Sequence, residues 1–183
     1  MKIAIINGTI VNSDEKFKAN ILIENGKIAK IGSEKFEADK VIDATNKLVM
    51  PGLIDMLVHF RDLGQEYKDD IISGSQTAVA GGVTTCLCMA NTNPVNDNAS
   101  ITRAMIEKAK NCGLIDLLPI AAISKGLGGN EIVEMGDLIE AGAVAFSDDG
   151  LPVTSSSVMR AALEYSSMFN SFCISHSEDC SLC

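Results

Sequence analysis

The feature that most constrains the fold is an alternation, after Gly52, of short apolar runs with longer segments of helical periodicity. The five candidate strands are LIDMLVHF, TTCLCMAN, LIDLLPIAAIS, AVAFS and SFCISHS. The four candidate helices between them cover residues 67–80, 100–112, 131–141 and 155–169. This alternation is typical of βαβ units and a parallel sheet. It predicts an α/β fold, either an open doubly wound sheet or part of an eight-stranded barrel.

The first 50 residues have a different pattern, which predicts a separate small antiparallel β domain. Asn-Gly pairs at residues 7–8 and 25–26 each lie between two apolar runs. An Asn-Gly pair in this setting is a strong hairpin signal. The Pro51-Gly52 dipeptide then marks a turn and a domain boundary. We therefore expect a small β-sandwich-like domain over residues 1–50 and an α/β domain over residues 51–183.

Composition excludes several classes of partner. The chain has 183 residues, of which 46% are hydrophobic, but no apolar run reaches the roughly 18 residues needed to span a membrane. Its net charge of −9 leaves no basic patch for nucleic acid or an anionic membrane. The six cysteines are scattered, and Cys86 and Cys88 lie in an apolar run, which favours reduced thiols. We expect a soluble, cytoplasmic protein with no nucleic-acid or membrane partner.

In either α/β alternative, the C-terminal ends of the strands form the site. Alternation along the strand PGLIDMLVHFR puts Asp55, Leu57, His59 and Arg61 on one face. An imidazole at a strand end suits zinc, with Asp55 as the carboxylate expected to orient it, and a planar guanidinium suits a carboxylate. An ordinary core histidine and a surface ion pair are the alternative interpretations. The other strand ends carry Asn91, Ser124, Lys125, Asp148, Asp149 and His176.

Four segments in order along the chain resemble motifs of a known family: PGLIDMLVHFRDLGQEYKDD, GGVTTCLCMANTNP, AFSDDG and ISHSED. Together they are similar to the N-terminal part of bacterial dihydroorotases, which are cyclic amidohydrolases of the metal-dependent amidohydrolase superfamily. The resemblance implies a partial TIM (β/α)8 barrel of about five strands after the small β domain. It also implies zinc at the strand ends. The implied reaction is the reversible closure of N-carbamoyl-aspartate to dihydroorotate in pyrimidine biosynthesis.

The resemblance assigns roles to five residues. His59, Asp149 and His176 match metal-ligand positions, and Arg61 and Asn91 match positions that bind the substrate carboxylate. Asp148 stays an alternative to Asp149 as the carboxylate ligand. We expect at most one zinc ion.

The chain departs from the family pattern at Leu57, which replaces the first histidine of the HxH metal pair. Leucine has no lone pair for a metal, so three ligands remain, and three ligands plus water is the usual count for catalytic zinc. The resemblance assigns no general base to residues 1–183, because the family's aspartate base and a further histidine belong to later strands. We therefore expect a chain that is inactive or impaired as an enzyme. A lone CxxC pair, Cys180 and Cys183, is weak evidence for a metal or redox site.

Three functional hypotheses follow. The first is a dihydroorotase-type hydrolase acting on a small-molecule substrate. The second is a non-catalytic homologue that associates with aspartate carbamoyltransferase, and the third is an allantoinase or hydantoinase. A homo-oligomer or an aspartate carbamoyltransferase complex is the expected assembly.

Overall fold

The structure, a computed structural model, describes residues 1–179 and 181–182. Cys180 and Cys183, the lone CxxC pair, lie outside the described residues. The chain forms two compact units, of which the first covers Met1–Pro51 and the second begins at Gly52. In the described part of the chain, none of the helices combines the length and the apolar character needed to cross a membrane.

The first unit is a five-stranded sheet. Its strands are β1 (Lys2–Val11), β2 (Lys16–Glu24), β3 (Lys27–Gly32), β4 (Lys40–Asp43) and β5 (Leu48–Val49). Their order is β3-β2-β1-β4, and β5 also pairs with β1. The β1–β2 and β2–β3 pairs are antiparallel, whereas β4 and β5 run parallel to β1. The sheet is therefore mixed: the predicted antiparallel pairs form, and β4 and β5 add parallel pairing to β1, because β4 follows a longer connection than a tight hairpin.

Only one of the two predicted hairpins forms at its Asn-Gly pair. Residues 25–26 connect β2 to β3. Residues 7–8 lie inside β1, where the register with β2 shifts and Asn7 has φ 61°. An asparagine in the left-handed region suits a β-bulge as well as a turn, which is why the pattern misled. The turn between β1 and β2 is at residues 12–15, where the Asn12 amide donates to the Glu15 carbonyl at 3.0 Å.

The second unit has the predicted α/β architecture. Its parallel sheet has the order β6-β7-β8-β9, with β6 Leu53–Val58, β7 Val83–Cys88, β8 Asp116–Ala121 and β9 Ala145–Phe146. The helices are α1 (Ile71–Ala80), α2 (Ala99–Cys112), α3 (Met135–Ala141) and α4 (Ser156–Ser167), with a 3-10 turn at Lys125–Leu127. The fifth predicted strand, SFCISHS, contributes a single bridge from Cys173 to Phe146.

The helices cover the sheet through two apolar clusters. One joins α1 and α2 to β7 and β8 and contains the fully buried Ile71, Cys88 and Met105. The other joins α3 and α4 to β9 and contains Leu138 and Phe146. Both clusters pack against the strands themselves. Because the strands are parallel, the residues that follow them lie at one edge of the sheet.

Candidate functional site

Three of the predicted metal-ligand residues meet at the C-terminal edge of the sheet. His59 directly follows β6, and Asp149 lies shortly after β9. His59 Nε2 is 3.3 Å from Asp149 Oδ2, and His176 Nδ1 is 3.3 Å from Asp149 Oδ1. One carboxylate therefore lies between two imidazoles. All three side chains are partly exposed, so solvent reaches the cluster.

The second nitrogen of each imidazole faces another oxygen. His59 Nδ1 is 3.0 Å from Asn91 Oδ1, and His176 Nε2 is 2.7 Å from Glu178 Oε2. A proton on each of these nitrogens satisfies the contact, which leaves the nitrogens that face Asp149 unprotonated in the neutral rings. Lone pairs that face carboxylate oxygens repel unless a proton or a cation lies between them. The donor set therefore suits either a proton or a metal cation between each imidazole and Asp149.

The distance from each imidazole nitrogen to the Asp149 oxygen that it faces is compatible with zinc coordination. Tetrahedral coordination with bonds of about 2.0–2.2 Å puts neighbouring ligand atoms roughly 3.3–3.6 Å apart, and both measured separations are 3.3 Å. The two separations involve different oxygens of Asp149, however. Over residues 1–179 and 181–182, no three His, Cys, Asp or Glu side chains are arranged to hold a metal ion. The residues have the right chemistry for the ion, but the three-ligand group is not preformed.

Asn91 connects the imidazole cluster to Arg61. Its backbone carbonyl accepts from Arg61 Nη1 at 3.4 Å, and its side-chain Nδ2 donates to the backbone carbonyl of Asp149 at 3.4 Å. This second contact fixes the amide so that Oδ1 faces His59. Asn91 therefore orients His59, although Asp55 was the carboxylate predicted for that role. The Asp55 carboxylate instead accepts from the Leu57 amide at 3.1 Å.

The two neighbouring aspartates have different environments. Asp148 is 2% exposed, and its Oδ1 accepts from the amides of Ile123 and Ser124 at 2.7 and 3.0 Å. Its Oδ2 accepts from the Ser124 hydroxyl. Burial raises the pKa of Asp148, and the hydrogen bonds from Ser124 and Ile123 oppose that shift. Asp148 thus anchors the chain after β8, whereas Asp149 faces the two histidines.

The pKa of His176 is raised above its usual value. The hydrogen bond to Glu178 is the main cause, the nearby Asp149 carboxylate adds to it, and desolvation opposes it. Glu178 was not singled out from the sequence, although it lies two residues after His176 in the ISHSED segment. Its position two residues after His176 was the signal that could have identified it, since a carboxylate commonly orients a metal-binding histidine through the other ring nitrogen.

The structure brings the five predicted site residues into one connected group. His59, Arg61, Asn91, Asp149 and His176 are linked by the contacts above. The three other polar residues at strand ends, Ser124, Lys125 and Asp148, have structural partners. Ser124 binds Asp148, and Lys125 pairs with Glu131 at 2.5 Å.

Residues 46–183 match the family model for dihydro-orotase-like proteins. The chain belongs to this family. The whole chain is 49% identical to a dihydroorotase of Syntrophotalea carbinolica and 47% identical to one of Geobacter sulfurreducens. It covers 44% of each relative, so it spans less than half the length of these curated relatives.

Solved structures of cyclic amidohydrolases share the fold. An L-hydantoinase (dihydropyrimidinase) from Arthrobacter aurescens superposes with a TM-score of 0.82 at 27% identity, over 97% of this chain and 41% of that one. A D-hydantoinase superposes with a TM-score of 0.73 at 28% identity, over 97% of this chain and 40% of that one. The fold prediction is confirmed: a small mixed sheet accompanies a four-stranded parallel half-barrel.

Proposed function

We propose that this family member carries the zinc and carboxylate sites of a dihydroorotase, which interconverts N-carbamoyl-aspartate and dihydroorotate. The observation that carries the proposal is the direct contact of Asn91 with both His59 and Arg61. A carboxylate-binding pair thus lies beside a candidate metal cluster at the C-terminal edge of a parallel sheet, where sites of this fold occur. The dihydroorotase relatives cover the whole chain and support this substrate class.

His59, Asp149 and His176 are the residues that would hold zinc. When bound, zinc would act as a Lewis acid toward the amide carbonyl. Asn91 holds the His59 ring by its Nδ1, and Glu178 holds the His176 ring by its Nε2. Metal binding would require the nitrogens that face Asp149 to be free of protons, and in the neutral rings these contacts place the ring proton on the opposite nitrogen.

Arg61 and Asn91 would bind the carboxylate of the substrate. Arg61 is half-buried, and its planar guanidinium can form two parallel hydrogen bonds to a carboxylate. The carboxylate distinguishes dihydroorotate from hydantoin, which is uncharged and has no carboxylate for Arg61 to bind. A carboxylate site therefore favours the dihydroorotase hypothesis over the hydantoinase one.

The test is binding of dihydroorotate and of hydantoin to the purified protein by isothermal titration calorimetry. Because hydrogen bonds to charged groups contribute about 1.5–3 kcal/mol, Arg61→Met is expected to weaken dihydroorotate binding roughly 10- to 100-fold. Arg160→Met is the matched control, because Arg160 is exposed and pairs with Glu164 on α4. Binding of hydantoin but not dihydroorotate, or equal weakening by both variants, would contradict the proposal.

The non-catalytic hypothesis has its own support at Leu57. This residue takes a ligand position of the HxH pair and is 50% exposed, but its side chain has no donor atom. We propose that the loss of this ligand weakens zinc binding and reduces or abolishes turnover. In that case the retained fold would serve assembly, as a homo-oligomer or with aspartate carbamoyltransferase. A cytoplasmic location stays a prediction from the sequence.

Leu57→His tests the lost ligand. We expect it to tighten zinc binding at least tenfold, measured by competition with a chromophoric chelator. Leu53→His is the matched control, because Leu53 lies on the same strand and is also 50% exposed. Equal gains from both variants would indicate nonspecific zinc binding. Efficient turnover by the unaltered protein would refute the impairment.

A further inference from the structure

The residue that follows Arg61 has an unusual environment. Asp62 is 0% exposed, although it carries a carboxylate. Its Oδ2 accepts from the Ile71 amide at the start of α1, at 3.1 Å, and forms an ion pair with Lys108 of α2. Its Oδ1 has no hydrogen-bond partner within the described residues. Because burying an unpaired charge is very costly, the pair with Lys108 determines where Asp62 can lie.

Arg61 itself has a constrained backbone. Its φ is 59°, in the left-handed region that long side chains such as arginine rarely adopt. The buried Asp62 is directly bonded to Arg61 and supplies such a constraint. Movement of Asp62 would therefore release the backbone that sets the direction of the Arg61 side chain.

The same loop is fixed to the segment that carries Asn91. The Asn93 amide donates to the Leu63 carbonyl at 2.8 Å. Gly64 packs so closely that an added Cβ would lie 1.7 Å from the Asn93 carbonyl oxygen. Lys108 belongs to α2, the helix that begins shortly after this segment. The Asp62–Lys108 pair thus joins the loop bearing Arg61 to the helix that follows the loop bearing Asn91.

We propose that Asp62 and Lys108 are positioning residues, which hold the Arg61 guanidinium beside Asn91 so that the two bind one substrate carboxylate. This inference rests on the proposed function, because it needs a carboxylate ligand at Arg61. Neither residue touches the ligand. They affect binding of the substrate carboxylate, and they act through the backbone of the 61–64 loop.

The experiment measures dihydroorotate binding by calorimetry in Asp62→Asn and Lys108→Met. Asparagine keeps the shape of Asp62 and can still accept from the Ile71 amide, but it cannot form the ion pair. Since small displacements of a binding group have large effects, each variant is expected to weaken binding roughly tenfold or more. Lys108→Arg keeps the charge and should stay within about threefold of the unaltered protein.

A double-mutant test separates positioning from general stability. Combined with Arg61→Met, Asp62→Asn should weaken binding no further, because its effect passes through Arg61. Met105→Ala is the matched control, since Met105 is fully buried one turn earlier on α2. It should lower Tm by forming a cavity, yet leave Kd unchanged. A similar rise of Kd in Met105→Ala, or an undiminished effect of Asp62→Asn in the Arg61→Met background, would overturn the inference.

Two further outcomes separate this inference from the function on which it rests. Binding that is lost in Arg61→Met but retained in both Asp62→Asn and Lys108→Met overturns the positioning role alone. An unaltered protein that binds no dihydroorotate overturns the proposed function and the positioning role together. Lys108→Met provides the second measurement if Asp62→Asn fails to fold.

Discussion

The first and last strands of the parallel sheet both lead into the site, but they are held in different ways. In β6, which precedes His59, five of the six residues are exposed, and Ile54 is 63% exposed. In β9, which precedes Asp149, both Ala145 and Phe146 are 0% exposed. Two strands of similar apolar character therefore contribute very differently to the core.

The difference shows how the segments that carry Asp149, after β9, and His59, after β6, are anchored. On the β9 side, the strand itself is buried, and Asp148 continues the anchor immediately before Asp149. On the β6 side, the buried residues begin only after the strand, with Phe60 at 5% and Asp62 at 0% exposed. His59 thus lies between an exposed strand and a buried anchor, so substitutions in the two regions should have unequal effects on stability.

The largest effect is expected on the β9 side, from Asp148→Ala. This change leaves the Ile123 and Ser124 amides and the Ser124 hydroxyl without their buried acceptor. Each unsatisfied buried group costs about 1–3 kcal/mol, so the free energy of unfolding should fall by roughly 3–5 kcal/mol. Urea denaturation followed by circular dichroism measures this loss.

Asp149→Ala is the control for that measurement. Asp149 is partly exposed and faces the two histidines, so its removal should change the free energy of unfolding by about 1 kcal/mol or less. Under the proposed function, it should also abolish zinc binding. An equal loss of stability in the two variants would show that the neighbouring aspartates share one structural role.

A smaller loss is expected on the β6 side, from Gly74→Ala in α1. A Cβ at this position would lie 2.3 Å from the ring of the buried Phe60. Overpacking costs about 1–3 kcal/mol, and it should exceed the roughly 1 kcal/mol that alanine gains over glycine within a helix. Thermal unfolding should therefore show a lower Tm.

Gly136→Ala in α3 is the matched change. Its Cβ would lie 3.1 Å from the ring of Phe169, which is 39% exposed and can move. The helix preference should then dominate, and Tm should rise or stay the same. If Gly74→Ala also raised Tm, Phe60 would not be a tight anchor for the segment that carries His59.

Much of this arrangement could be predicted from the sequence, because it depends on local periodicity. The structure confirms the four helices, with α2 at Ala99–Cys112 against a predicted 100–112. In a parallel sheet, all strands end at one edge, so residues such as His59, Asn91 and Asp149 converge even though they are distant in the chain. The connected site group follows from that geometry.

The remaining features depend on contacts between distant residues, which a single sequence does not reveal. Asp148 and Asp149 are identical in type, and only the amides of Ile123 and Ser124 distinguish them. The apolar composition of β6 predicts burial, yet its strand is exposed in the described structure. The ion pair of Asp62 with Lys108 joins two charged residues that each look like ordinary surface groups in the sequence.

The smallest effect is expected from Ile54→Val in β6, which removes the same methylene as Ile120→Val in β8. Ile120 is 0% exposed and Ile54 is 63% exposed. Ile120→Val should cost about 0.5–1.5 kcal/mol, whereas Ile54→Val should stay within roughly 0.5 kcal/mol. Urea denaturation of both variants at several protein concentrations makes the comparison. An equal cost that grows with protein concentration would mean that self-association covers β6 in solution, and the contrast between the two strands would then hold only for the isolated chain.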